Sequence, residues 1–393
     1  MLNLMLIFIA RRLFYTLFIL VILSLIAFWV MQLQPGDFIT KHALQLSQET
    51  MAQLRQRYGL DQSGWVQYAK WIGGILTRGD FGMSFETQQP VFDHLFVNGN
   101  RFGWTVLLTG LTFLFSWLLA LPLGIYLATS AYRGTGRWRW RTLIRAVART
   151  ARRFAHVFEQ QPDARSCRAR WQQRIQDTLA LLGQLLGAGL RWLFVLLVNG
   201  LGIVGLSLPN FLTALLILWL LVAVFQVGAN FGLGISGLFD VKYRTAPWNW
   251  DKFVNFLWHL WPVLLVVGLA NIAQLIRYTR ANLLDVLGEP FIQTARAKGL
   301  GERVVVYKHA VRNALNPLIS LLGFWIPMMF EGLLIAAFVF QLPVVEFAYW
   351  RALATEDQYV VMTGLLFFGL VLTLGNLLSD VLLALANPKI RYE

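Results

Sequence analysis

Few side chains in this 393-residue sequence stand where they could do chemistry. The five histidines (His42, His94, His156, His259 and His309) are scattered and no HExxH occurs. A single cysteine, Cys167, leaves neither a multi-cysteine zinc site nor an internal disulfide. None of the seven lysines is followed by Ser or Thr, so there is no GxxxxGK[ST] phosphate loop. The pattern points away from an enzyme, a metal site or a cofactor. Two carboxylates stand inside apolar runs: Glu331, about midway along Leu315–Phe340, and Asp380, close to the end of Tyr359–Ala386. An acid at that depth either lines a path for a charged solute or ion, or bonds to a neighbouring helix or a partner subunit. Asp380 reads as structural, snorkelling to the interface or paired with an arginine, and Glu331 as the candidate pore-lining residue. With one mid-span acid and no internal repeat, an ion-coupled carrier is the weaker reading.

A second stretch could carry function by contact rather than catalysis. Gly288-Glu289-Pro290 stops one helix and opens another, because Pro cannot continue a helix but suits the first turn of the next. A short helix over Pro290–Lys298 is expected, ended by a left-handed Gly299, with a new helix from Glu302 to Asn313. Its middle is Gln293, Thr294, Ala295, Arg296, Ala297, Lys298 and Gly299. Small side chains there let another surface approach the backbone, and the cations stay wet or meet acidic groups.

The elements that position these residues are membrane spans. The chain is 57% hydrophobic and only 14% charged, against about 25% charged in soluble domains. Six stretches are long and apolar enough to cross about 30 Å of hydrocarbon: Leu13–Leu33, Gly103–Ala128, Gly202–Gln226, Trp258–Leu283, Leu315–Phe340 and Tyr359–Ala386. A seventh apolar run, Leu179–Val198, contains Gln184 and Arg191 and is placed along the cytoplasmic surface or against the bundle. Loop charges alternate. Residues 131–180 hold twelve Arg against Glu159, Asp163 and Asp177, whereas 34–102 hold six basic and six acidic residues. The positive-inside rule then places both termini in the cytoplasm.

QTARAKGL (293–300) followed by YKHAVRNALNPLI (307–319) resembles the coupling loop of type I importer permeases, in the version of the dipeptide/oligopeptide branch of ATP-binding-cassette (ABC) transporters. LQPGD (33–37), YGLD (58–61), GDFGMSF (79–85), SLPNF (207–211) and NPKIR (387–391) resemble that branch in the same order. The resemblance implies an all-α membrane fold of six transmembrane helices in a bacterial inner membrane. It implies a transport subunit that pairs with a second homologous permease, docks on two ABC ATPase subunits around Ala295 and Gly299, and receives solute from an extracytoplasmic binding protein. Peptides are the implied solute, with nickel or oligosaccharides as alternatives within the family. The sequence departs from the family pattern at Gln293 and Thr294, and at Pro343-Val344-Val345-Glu346, where a PGxG turn is usual.

Residues 1–100 read as an anchor helix and extracytoplasmic cap, and 101–393 as the permease core with a basic insertion at 131–195. On a helical wheel Trp140, Val147 and Phe154 share one face of that insertion, and Arg145, Arg149 and Arg152 the other. A cationic amphipathic helix with aromatic residues on its apolar face is expected to lie on the membrane surface, bound to lipid. Contact with an ATPase or regulatory subunit is the alternative. Nucleic acid is disfavoured by the apolar face and the membrane tether.

Overall fold

A computed structural model describes residues 2–33, 61–132 and 193–386, together with positions 49, 56, 183, 186, 187, 189 and 190. The residues of the amphipathic insertion (Trp140, Arg145, Val147, Arg149, Arg152 and Phe154), most of LQPGD and all of NPKIR lie outside them. Among the described residues the fold is helical, with one isolated extended pairing, Met83 with Pro90.

In chain order the helices of eight or more described residues are α1 (Leu2–Gln32), α2 (Gly64–Arg78), α3 (Arg101–Tyr132), α4 (Leu193–Ser207), α5 (Asn210–Val224), α6 (Trp250–Gly288), α7 (Pro290–Ala297), α8 (302–314), α9 (Leu322–Phe340), α10 (Val345–Thr355) and α11 (Gln358–Ala386). By length and composition α1, α3, α6, α9 and α11 can each cross a membrane, and α4 with α5 forms a sixth candidate as a broken pair. This is the all-helical membrane architecture expected of the sequence.

Two spans differ from their expected form. The third, expected as one helix over Gly202–Gln226, is interrupted after Ser207, and α4 and α5 are bent by 111°. Pro209 is the cause: it has no N–H to continue the ladder and sits extended, at φ −60° and ψ 146°. α4 also takes in residues 193–198, so the end of the seventh apolar run and the start of the third span form one continuous helix. The fifth span, expected from Leu315, opens as a separate short helix, Asn316–Ser320, and α9 begins at Leu322. Leu321 divides the two with ψ −10°.

The chain forms two compact units. The first contains residues 1–118, 208–272 and 316–393. One of its two cores joins Leu108 of α3, Val263, Val266 and Val267 of α6, and Met329, Leu333 and Ala336 of α9. The other joins Ala27 and Phe28 of α1, Trp71 of α2, Val345 and Ala348 of α10, and Val360 and Val361 of α11. An ion pair of 2.8 Å between Arg12 and Asp380 links α1 and α11, which gives Asp380 the arginine partner that its sequence position suggested.

The second unit contains residues 119–207 and 273–315. Its core is Ala128 of α3, Leu283 and Leu287 of α6, Ile292 and Ala295 of α7, and Val305, Val306 and Ala310 of α8. α3 and α6 touch closely at Gly124, where a Cβ would fall 2.7 Å from the Thr279 Cβ. Small residues permit such an approach between membrane helices. At 39 residues α6 is about 58 Å long, roughly twice the hydrocarbon thickness that a span must cross.

Candidate functional site

The loop after α6 is built as its sequence demands. Glu289 is extended (φ −68°, ψ 147°), Pro290 occupies the first turn of α7, and the helix ends at Ala297. Gly299 then adopts φ +77°, a conformation costly for any residue with a Cβ, and the chain re-enters helix at Glu302. The middle of α8, Val305–Val311, has the wider π-type winding.

The seven loop residues divide by direction. Gln293, Thr294, Ala297, Lys298 and Gly299 are exposed. Ala295 turns inward, 9% exposed, beside the fully buried Ile292, and both pack in the second unit's core. Ala295 thus packs against this chain's own helices. The outward surface also carries Phe291, Leu300, Val304 and Tyr307, each more than two-fifths exposed. Such an apolar set beside small polar residues suits a protein contact.

Arg296 is not a free cation. Its Nε and Nη2 donate to the two Glu302 carboxylate oxygens at 3.2 and 3.0 Å, and its Nη1 donates to the Tyr132 hydroxyl oxygen at 2.6 Å. The guanidinium carbon also lies 4.8 Å from the centre of the Tyr132 ring. Of the two loop cations, Arg296 meets an acid within the chain and Lys298 stays exposed.

Glu331 lies on the exposed surface of α9. It makes no hydrogen bond or ion pair among the described residues of this chain, which leaves its carboxylate open to a solute or to a partner subunit. Among the described residues, the acids buried inside the first unit are two others. Glu346, in the first turn of α10, is fully buried. Thr105 of α3 donates its hydroxyl to Glu346 Oε2 at 2.7 Å and accepts the Val345 N–H at 3.0 Å, while Glu346 Oε1 has no hydrogen-bond partner. Burial pushes the Glu346 carboxyl up to about 7, against the smaller opposing effect of the Thr105 hydrogen bond. Asp357, 1% exposed, precedes α11 and accepts the Ser84 hydroxyl at 2.6 Å and the Glu86 N–H at 3.1 Å. Burial raises it too, and these hydrogen bonds hold it back. Beside it Arg351 pairs with Glu86. The GDFGMSF loop is thus fastened to the α10–α11 corner.

Sequence reasoning singled out neither Thr105 nor Ser84, and it passed over Tyr132. One signal existed for α3: Thr105, Thr109, Thr112 and Ser116 recur at helical spacing, and all four are buried. For Asp357 and Ser84, 273 residues apart, there was no local signal. Among the described residues no cluster of His, Cys, Asp and Glu could hold a metal ion.

Residues 180–392 match the family described as binding-protein-dependent transport system inner membrane component, and residues 5–116 match the N-terminal region described for the same membrane components. The chain is 28% identical over 407 aligned residues to the dipeptide transport system permease protein DppB of Escherichia coli (strain K12), covering 99% of this chain and 100% of the relative. It is 26% identical over 386 residues to the oligopeptide transport system permease protein AppB of Bacillus subtilis (98% and 99% covered). With the glutathione transport system permease protein GsiC of Salmonella typhimurium it shares 27% over 390 residues (99% and 100% covered).

Proposed function

Because this chain belongs to the family of binding-protein-dependent transport system inner membrane components, whose members are non-catalytic transport subunits, we propose that it is the permease of an ATP-driven importer of peptide-class solutes. The relatives' names specify a dipeptide, an oligopeptide and glutathione, and a peptide backbone is what these three solutes share. In this reading the chain pairs with a second homologous permease in a bacterial inner membrane, with both termini in the cytoplasm. Two ABC ATPases engage its coupling loop, and an extracytoplasmic binding protein delivers the solute.

The observation that carries the reading is α7. It is a short helix beyond a span twice as long as the bilayer requires, apolar on its buried side and presenting Thr294, Ala297 and Lys298 outward. Affinity purification of the tagged chain in mild detergent tests it. A second six-span permease and a phosphate-loop ATPase should accompany the wild type, and Thr294→Trp with Ala297→Trp should release the ATPase while the chain stays folded. A chain that purifies alone and transports without an ATPase would overturn the reading.

Glu331, exposed on α9, is proposed to face the solute path. Glu331→Gln should alter uptake of cationic and anionic peptides unequally, and equal loss of both would remove it from the path.

A further inference from the structure

Resting on that coupling reading, we infer that Arg296 is a positioning residue: it fastens the coupling helix to the C-terminal end of α3, so that motion imposed on α7 reaches that span directly. Sequence connectivity links α7 only to α6, through Gly288-Glu289, and to α8, through Gly299–Gly301. Nothing covalent joins it to α3, whose last residue, Tyr132, is 164 residues from Arg296. Ile125, Ala128 and Tyr132 nevertheless lie on one face of α3, at i, i+3 and i+7. Ala128 and Ile125 pack in the core that holds Ile292 and Ala295.

The guanidinium completes this contact with directional bonds. Its planar fork takes both Glu302 oxygens, and its remaining Nη takes the Tyr132 hydroxyl, so one side chain ties the end of α3, the end of α7 and the start of α8. Lysine, a point charge without that planar fork, could not satisfy three acceptor atoms in this geometry. Glu302 stands in the first turn of α8, where the helix dipole favours a carboxylate. Gly124 against Thr279 brings α6 close to the same end of α3, so the α3 end, the α6 end and the coupling helix make one packed block.

The pair is too wet to be a stability device. The side chains of Arg296 and Glu302 are 26% and 39% exposed, and ion pairs at such sites contribute little to folding. Losing Arg296 should therefore leave the chain folded and assembled, with the block loosened at one pin. ATP hydrolysis then proceeds while less of the motion reaches α3.

The test uses the whole importer in proteoliposomes, with ATP hydrolysed per peptide imported as the readout and ATPase co-purification as the control. Arg296→Ala should raise the ATP used per peptide about tenfold relative to the ATPase that co-purifies, within the range by which mutations along a coupling network act. Tyr132→Phe, which keeps the ring and loses the hydroxyl, should raise it about threefold on the same grounds. The exchanged pair Arg296→Glu with Glu302→Arg should recover part of the loss, which a role in bulk folding would not predict. Should Arg296→Ala fail to fold, Arg296→Lys supplies the same comparison. An unchanged ratio in these variants overturns the inference, as does loss of uptake in step with loss of the ATPase. A wild-type chain that binds no ATPase refutes instead the coupling reading beneath it.

Discussion

Glu346 and Glu302 are the same residue in the same local setting, the first turn of a helix, and the two units of the molecule treat them in opposite ways. The helix dipole favours the ionised acid at both. In the second unit Glu302 keeps about two-fifths of its side chain wet and meets Arg296, so it stands as half of an ion pair. In the first unit Glu346 is fully buried, its one side-chain donor is the neutral Thr105 hydroxyl, and desolvation outweighs the dipole. The environment built by distant helices, rather than the residue or its helix position, decides whether an acid acts as a charge or as a hydrogen-bonding wedge.

The largest expected effect is the pH response of Glu346. Its folded carboxyl, at about 7, holds the proton more tightly than the unfolded one at 4.5. The stabilisation is therefore complete below pH 4.5 and is lost as pH rises through 7, a change of about 3 kcal/mol at 1.36 kcal/mol per unit. Thermal unfolding in detergent should show a midpoint falling over this window, and Glu346→Gln should flatten it. A variant with the same slope as wild type would remove Glu346 as its source.

Asp357→Ala should cost about 2 kcal/mol at neutral pH, because it strands the buried Ser84 hydroxyl and the Glu86 N–H without their acceptor. Calorimetry reads that loss, and proteolysis should reach the 79–91 loop first.

Thr105→Val should cost about 1 kcal/mol. It removes the hydrogen bond that holds the Glu346 carboxyl down, so the same titration should move to higher pH; a midpoint moving lower would reverse the argument.

The smallest effect belongs to the wet pair. Glu302→Gln should change unfolding by less than about 1 kcal/mol, in contrast to Glu346, and a larger loss would erase the distinction between the two units.

Much of this was legible in the residues themselves. Apolar runs of bilayer length became helices long enough to cross, Pro290 and Gly299 bounded α7, and Asp380 found its arginine. Pro209 also carried a readable signal for the break between α4 and α5, but apolar residues on both sides made the stretch read as one span. The insertion's amphipathic pattern lies outside the described residues and stays a statement about sequence.

By itself the sequence determined the membrane class, the element order and the shape of the 288–302 loop, because hydropathy, proline's missing N–H and glycine's left-handed freedom all act within a few residues. Only the tertiary structure decided that Ala295 packs inward, that Arg296 is engaged with Tyr132 and Glu302, and that Glu346 and Asp357 are the buried acids. Thr105 is 241 residues from Glu346 in the chain, and Ser84 is 273 from Asp357. Whether a carboxyl is desolvated depends on which helices close over it, and that is a property of packing that no local run of residues contains.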